Sequence, residues 1–461
     1  MVLIKSISGV RGTINQNFSD GLSKNEIIHC TNQFIDWLIQ EYSTCNQLFR
    51  IVIGRDGRIS GVTILDILLK KIQEKGVDVI NLGLTTTPSV QLAIQTEGCV
   101  GGMMVSASHN PMNWNGLKLL NNKGEFLSKT QSLQVFSKSD FKKNISAKGQ
   151  VFDLDYKAKH ITSILNLKDI NIDAVRKKKF KIVIDGINSS GSIYVPYLLN
   201  KLGVQVIKLN CNPNGDFAHD PEPLPRNLKT LCNRVKEEKA DLGIAVDPDV
   251  DRLVFVCEDG SFFGEEYTIV AIAKYVLQKY SNASVVSNLS TTKAVMDIAK
   301  ELKALHFESA VGEANVVELM KEKKSIIGGE GSGGIIFAPS HYGRDALVGI
   351  ALFLTYLAES NYTLTYLKSS LPFYFMEKEK VVIPNNFNFK NYINNQIKLC
   401  KENNLDFLLI DGIKIYYDCG SWSHVRISNT EPIIRLIIES PTQDTAINLK
   451  SKLTKNIMTY L

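Results

Sequence analysis

Apolar residues along this chain recur with two rhythms, one of two residues and one of three to four, and the rhythms alternate. Arg50–Ile53 is a short β-branched run that enters the polar turn Gly54–Ser60. Val62, Leu65, Leu68, Leu69 and Ile72 then fall on one helical face, Gly76 ends the helix, and Val77–Leu82 predicts a second strand. The plan recurs about 130 residues later, where Lys181–Ile184 runs into Asp185–Ser192, an apolar helix follows, and Gly203 precedes Val204–Leu209. A fainter third copy comprises Ser284–Ser287, the turn Asn288–Thr292, a helix through Leu302, and Leu305–Phe307. Strands alternating with helices imply βαβ units and mostly parallel sheets. From about Leu371 the rhythm changes: strands at Lys380–Ile383, Gly412–Tyr417 and Ile433–Glu439 alternate with one or two helices. The expected fold is therefore α/β, with three related mixed- or parallel-sheet α/β domains (1–154, 155–257 and 258–370) and a smaller C-terminal α+β domain (371–461).

Composition narrows the class. A chain of 461 residues matches that domain count at roughly 100–200 residues each. Apolar residues at 44% and charged residues at 22% exclude a disordered, collagen-like or coiled-coil chain. The net charge of +6 is small for this length, which suits local handling of small anions and argues against a nucleic-acid partner. Eight cysteines stand singly with no C-x-x-C pair, as expected of reduced thiols in the cytoplasm. Met1–Ile4 is too short an apolar run before Lys5 for a signal peptide, and Ala346–Leu354 is about half the length a bilayer requires. A soluble cytoplasmic protein with no membrane partner is expected.

Four loops carry candidate chemistry. In Val105–Pro111, followed by Asn115–Lys118, a strand-like run turns sharply and presents the Ser108 hydroxyl near His109 and Lys118. A serine becomes a useful nucleophile only beside a base or metal; the alternative is a plain Ser/Asn turn. In Asp247-Pro248-Asp249-Val250-Asp251-Arg252, carboxylates at i, i+2 and i+4 of an extended backbone would project to one side and suit Mg²⁺. Glu258 stands at the twelfth place of an EF-hand loop, but Arg252 replaces its glycine and strands replace its helices. Gly328–Gly334 matches G-x-G-x-x-G at Gly329, Gly331 and Gly334, yet Ile335-Ile336-Phe337 reads as a strand, so a dinucleotide site is rejected. A flexible loop offering Glu330 and Ser332 to a polyol fits better. Finally, Arg426-Ile427-Ser428-Asn429-Thr430-Glu431-Pro432, with Arg435 beyond, combines guanidiniums, hydroxyls and a tight turn suited to a phosphate dianion. Ser8–Gly12, with Arg11, and Gly54–Arg58 are further arginine-bearing turns.

A nucleophile, a metal site, a polyol loop and a phosphate cradle together suit phosphoryl transfer on a phosphorylated sugar. In these motifs, from Ser8–Gly12 to Arg426–Arg435, the whole chain closely resembles the α-D-phosphohexomutase family. The resemblance implies three similar α/β domains and a smaller α+β domain around a central cleft. It implies that Ser108 carries a phosphoryl group and that Asp247, Asp249 and Asp251 hold Mg²⁺ together with it. Glu330 and Ser332 would bind sugar hydroxyls; Arg426, Ser428, Asn429 and Thr430, with Arg435, would hold the phosphate not being transferred. Arg11, His109, Lys118 and Arg252 would surround the reacting phosphate, with Lys118 or His109 accepting the hydroxyl proton. A hexose 1,6-bisphosphate is the implied intermediate and activator, a phosphosugar the partner, and a monomer or homodimer the assembly. A movable fourth domain would let the intermediate turn around.

Ser106 before Ala107-Ser108-His109, and Thr430-Glu431-Pro432, resemble the phosphoglucosamine mutase form of the family, whereas Asn429 resembles the phosphomannomutase/phosphoglucomutase form. Many relatives end the sugar loop with His where this chain has Gly334, so its contact is absent or supplied by another group such as His341. Pro248 replaces the commoner Gly without altering carboxylate spacing. The favoured expectation is conversion of glucosamine 6-phosphate to glucosamine 1-phosphate. The alternatives are the same chemistry on mannose or glucose phosphates, a metal-dependent phosphatase, and a non-catalytic sugar-phosphate binder.

Overall fold

The computed structural model describes residues 2–6, 9–42, 49–137, 147–384, 387–428 and 433–460. They form two compact units, Met1–Thr268 with Gly333–Lys368, and Ile269–Ser332 with Ser369–Leu461.

The first unit contains two sheets built to one plan. In the first sheet, Arg50–Arg55 pairs in parallel with both Asp78–Leu84 and Gly101–Val105, and Gly101–Val105 pairs antiparallel with Trp114–Leu120. In the second sheet, Lys181–Asp185 pairs in parallel with Gln205–Leu209 and Leu242–Val246, and the last pairs antiparallel with Leu253–Cys257. Leu3–Ser6 and Gly9–Thr13 extend the first sheet beyond Trp114–Leu120, and Val151–Asp153 extends the opposite edge. Gly101–Val105 and Leu242–Val246 are buried at every position, which is why they read as unbroken apolar or small-residue runs.

The helix Gly61–Glu74 buries Ile64, Leu65, Leu68 and Ile72. Val62, expected on that face, is instead exposed, because the buried stripe runs along Ile64, Leu68 and Ile72. The longest apolar run lies in the helix Ala346–Ser360, buried from Ala346 through Ala358. Among the described residues, no helix is long and apolar enough to cross a membrane.

In the second unit, Ser284–Asn288 pairs in parallel with Leu305–Ser309 and Ile327–Glu330, repeating the parallel part of the plan. Its other sheet is antiparallel, in the order Phe375–Val382, Ile433–Ser440, Trp422–Ile427, Ile413–Tyr416, Phe407–Leu408. The helices Phe389–Glu402 and Gln443–Met458 complete the expected α+β domain. The strand expected at Lys380–Ile383 starts earlier, at Phe375 opposite Ser440, its polar residues Glu377, Lys378 and Glu379 having masked it. This domain is tied to Ile269–Ser332 by a 2.5 Å ion pair between Lys414 and Glu308, and Glu439 accepts from the Lys293 amide at 2.8 Å.

In all three copies the loop singled out by sequence follows the third strand of the plan. Ser106–Asn113 follows Gly101–Val105, Asp247–Arg252 follows Leu242–Val246, and the turn 331–333 follows Ile327–Glu330.

Candidate functional site

In the first unit, the Ser108 loop is set by a buried ion pair missed from sequence. Arg58, fully buried, donates from Nη2 to the carbonyls of Ser108 and Asn110 at 2.6 Å each. Its Nη1 donates to Pro111 O at 2.6 Å and Trp114 O at 3.0 Å, and its Nε meets Asp56 Oδ2 at 3.2 Å. Asp56 also accepts from the Ser106 hydroxyl at 2.7 Å, and the Ser106 oxygen accepts from the Ser108 amide at 2.8 Å. Ser106 is thus a strut under Ser108. Held this way, Ser108 adopts φ +49°, a left-handed conformation that costs a non-glycine residue on the order of 1 kcal/mol.

The Ser108 hydroxyl donates to Asp247 Oδ2 at 2.6 Å. Asp247, Asp249 and Asp251 are all fully buried and can each offer an oxygen within 4.8 Å of the others. The expected extended backbone is not what unites them. Residues 247–251 form a tight turn, with the Val250 amide donating to Asp247 O at 3.1 Å and Val250 at φ +63°. The antiparallel return of Leu253–Cys257 along Leu242–Val246 demands such a reversal. Glu258 points elsewhere, accepting from the Thr365 amide at 3.1 Å, which removes the EF-hand alternative.

The oxygens of this triad divide into two sets. Asp249 Oδ2 accepts from Lys118 and from the Thr87 hydroxyl, while Asp251 Oδ2 accepts from Lys118 at 2.9 Å and Arg344 at 2.8 Å. Asp249 Oδ1 and Asp251 Oδ1 are buried with no hydrogen-bond partner. Buried, unpartnered carboxylate oxygens beside a third carboxylate and a serine hydroxyl are a hard-oxygen donor set, so these residues fit a divalent cation such as Mg²⁺.

The charges are strongly coupled. Burial, reinforced by Asp251 and Asp249, pushes the Asp247 carboxyl well above the ordinary carboxylate range. Burial acts on Asp251 in the same direction but is outweighed by Arg344, Lys118 and Arg252, which hold it below that range. Burial would likewise lower Lys118, yet Asp249 and Asp251 keep it firmly cationic. Burial, aided by the guanidiniums of Arg252 and Arg11, drives His109 well below the ordinary histidine range, and its Nδ1 has no partner. Arg11 reaches Asn110 Oδ1 at 3.3 Å, and Arg252 lies 3.7 Å from Glu222 with its Nε unpartnered. The structure thus gathers Ser108, Lys118 and the three aspartates in one bonded cluster, with His109, Arg11 and Arg252 coupled to it by charge.

The second unit holds the remaining candidates. Glu330 ends a fully buried strand and accepts from Asn288 Nδ2 at 2.8 Å and the Gly312 amide at 3.1 Å. The flexible loop expected here is confined to the turn 331–333, with Ser332 half-buried. Arg426 and Arg435 face each other on neighbouring antiparallel strands, and Lys380 lies opposite Arg435 on the next. Cations directly opposed across strands repel unless an anion sits among them. Asp411 supplies one carboxylate, accepting from Arg426 Nε at 2.8 Å and from the Val311 amide at 3.2 Å. Ser428 is buried, its amide bonded to Ile433 O at 2.9 Å, while Asn429 and Thr430 lie outside the described residues, as does Ser8.

Four family models match the chain in order: phosphoglucomutase/phosphomannomutase domain I over 4–144, domain II over 158–260, domain III over 264–374, and the C-terminal domain over 389–455. A phosphoglucomutase/phosphomannomutase from Thermococcus kodakarensis is 34% identical over 86% of this chain and 87% of its own. The chain belongs to the phosphoglucomutase/phosphomannomutase family. Other relatives include a probable phosphoglucosamine mutase from Methanopyrus kandleri, 30% identical over 87% of this chain and 88% of its own. A phosphoglucomutase/phosphomannomutase family protein from Burkholderia thailandensis shares the fold with a TM-score of 0.85 at 22% identity, covering 100% of this chain and 98% of its own. The family makes this protein an isomerase of the phosphohexomutase type.

The missed residues share a cause. Arg58, Lys380, Asp411 and Arg344 act through partners that are distant in sequence, so even where the segment was noticed, as in the turn Gly54–Arg58 and the strand at Lys380, the role was not. Gly334 was visible as a departure, but the expected stand-in, His341, turns its Nε2 toward Asp345 at 3.4 Å, and the Arg344 side chain lies against Gly334.

Proposed function

We propose that the protein interconverts hexose 6-phosphates and 1-phosphates through a phosphorylated Ser108, with glucosamine 6-phosphate as its principal substrate. The observation that carries this reading is the 2.6 Å hydrogen bond from the Ser108 hydroxyl to Asp247, inside a triad with unpartnered oxygens. Asp247, Asp249 and Asp251 would hold Mg²⁺ with the phosphoserine. When bound, the ion supplies positive charge that offsets the charge of a transferring phosphoryl group.

The chain's own residues do the rest. Arg11, Arg252 and Lys118 surround the phosphoryl group with cations, and an attacking sugar hydroxyl gives its proton to His109 or Lys118. Of the two, Lys118 is engaged by Asp249, Asp251 and Thr87, whereas His109 has an unpartnered Nδ1, which favours His109. Glu330 and Ser332 would hold sugar hydroxyls; Arg426, Ser428, Asn429, Thr430 and Arg435 would grip the other phosphate. The bound hexose 1,6-bisphosphate reorients, and its second phosphate returns to Ser108. Domain borders near 154, 257 and 370, and a cytoplasmic location, accord with this reading.

Turnover of glucosamine, glucose and mannose 6-phosphates with a trace of bisphosphate tests the proposal. Fastest use of the glucosamine sugar supports it; strong preference for mannose reassigns the substrate, and inorganic phosphate as main product makes the protein a phosphatase. Ser108→Ala is expected to abolish mutase turnover while leaving hexose-phosphate binding largely intact. Binding by the unaltered protein without phosphoryl transfer to Ser108 would reduce it to a binder.

A further inference from the structure

We propose that Gly334 and Arg344 work as a pair: the bare Cα of Gly334 is the berth for the Arg344 stem, and the guanidinium seated there orients Asp251 within the metal loop. Arg344 is on this view a positioning residue, and the inference rests on reading the aspartates as ligands of a divalent cation.

Three observations meet here. A Cβ added at Gly334 would lie 2.3 Å from Arg344 Cδ, 3.1 Å from Cγ and 3.4 Å from Nε, and these are its three nearest atoms. Gly334 is not among the residues with positive φ, unlike its neighbour Gly333 at +86°. Backbone conformation therefore does not require glycine at 334; the space taken by Arg344 does. Second, Arg344 Nη2 donates to Asp251 Oδ2 at 2.8 Å, the oxygen that also accepts from Lys118 at 2.9 Å, while Asp251 Oδ1 has no partner. A carboxylate gripped at one oxygen by two cations cannot turn freely, so its other oxygen keeps a fixed aim.

Third, the backbone beside Arg344 is fastened to both elements it serves. The Asp345 amide donates to Ile335 O at 2.8 Å, one residue past Gly334 on its strand, and the Ala346 amide to Val250 O at 3.1 Å, inside the metal loop. Asp345 is itself fixed, capping the Leu347 amide at 2.8 Å and meeting His160 at 3.0 Å.

The test is a four-protein cycle (unaltered, Gly334→Ala, Arg344→Ala and the double variant), reading Mg²⁺ affinity by calorimetric titration. Each single change is expected to weaken Mg²⁺ binding by about tenfold, and the double variant no further, because G334A acts by dislodging the arginine. Arg344→Gln, which retains most of the stem's bulk, should weaken Mg²⁺ to the same degree if R344A misfolds, with circular dichroism reporting the fold. Additive losses, an unchanged affinity in G334A, or tighter binding in R344A would each overturn the pairing. Asp247→Asn separates the two ideas: if it too leaves Mg²⁺ binding intact, it is the metal reading that fails.

Discussion

Arg58 and Ser108 are joined by a 2.6 Å hydrogen bond from a fully buried guanidinium to a backbone carbonyl, within a chain segment that places Ser108 at φ +49°. The same side chain satisfies three more carbonyls and neutralises Asp56. Arg58→Met would leave Asp56 buried without its cation and is expected to cost about 3–5 kcal/mol, read by urea unfolding. Arg58→Lys keeps the charge but not the fork, so it is expected to fold while losing at least about tenfold in turnover. A methionine variant within about 1 kcal/mol of the parent would show that Arg58 is not the fastener of this loop.

Metal removal should be visible without any substrate. Three buried carboxylates repel one another, and a cation bound only by the folded chain stabilises it. Magnesium at about a hundredfold above its dissociation constant is expected to raise unfolding free energy by about 2.7 kcal/mol. Chelation should remove both that gain and turnover, and Asp251→Asn should show no gain. Identical melting curves with and without magnesium would contradict the site.

Acid should weaken the second unit through two histidines. Burial holds both His306 and His424 at about 4 in the fold, against the opposing pull of Glu308 on one and the Asp411 carbonyl on the other. The unfolded chain takes up these protons near pH 6.5, so their stabilising contribution is complete above 6.5 and is lost as pH falls toward 4. Each can account for up to about 3 kcal/mol at the acid end. His306→Gln is expected to flatten the dependence of the urea midpoint between those pH values; an unchanged slope would remove His306 from the account.

Lys414 is 2% exposed at its side chain, 4.2 Å from the Trp422 ring centre and 2.5 Å from Glu308. Glu308→Gln takes one carboxylate charge away from that ammonium and is expected to cost about 1.5–3 kcal/mol. Replacing both, as Glu308→Leu with Lys414→Met, should recover most of the loss, which denaturant titration of the single and double variants would measure. Equal, additive losses would mean the two groups do not act as a pair.

Much of the fold was legible because its signals are local. Strand and helix periods of the βαβ copies, and the three aspartates within five residues, need only neighbouring positions to be seen. What escaped depends on chain segments meeting in space. The approach of Arg58 to residues 108–114, and of Arg344 to Asp251, crosses long stretches of sequence, and long flexible side chains carry no period that names their partner. The turn at Asp247–Asp251 was misread as extended because it places β-branched Val250 at φ +63°, a choice that only the returning strand explains.

Each α/β copy spends the same address, the exit of its third strand, on a different chemical group: a hydroxyl, a set of carboxylates, a glutamate with a serine. An ancestral strand-and-turn multiplied within one gene would yield three unlike tools by altering a handful of residues at one corner, with the scaffolds beneath left alone. Loop exchange between the first two copies is thus a natural route for redesigning such an enzyme, since both corners arrive framed by a parallel strand and its antiparallel return.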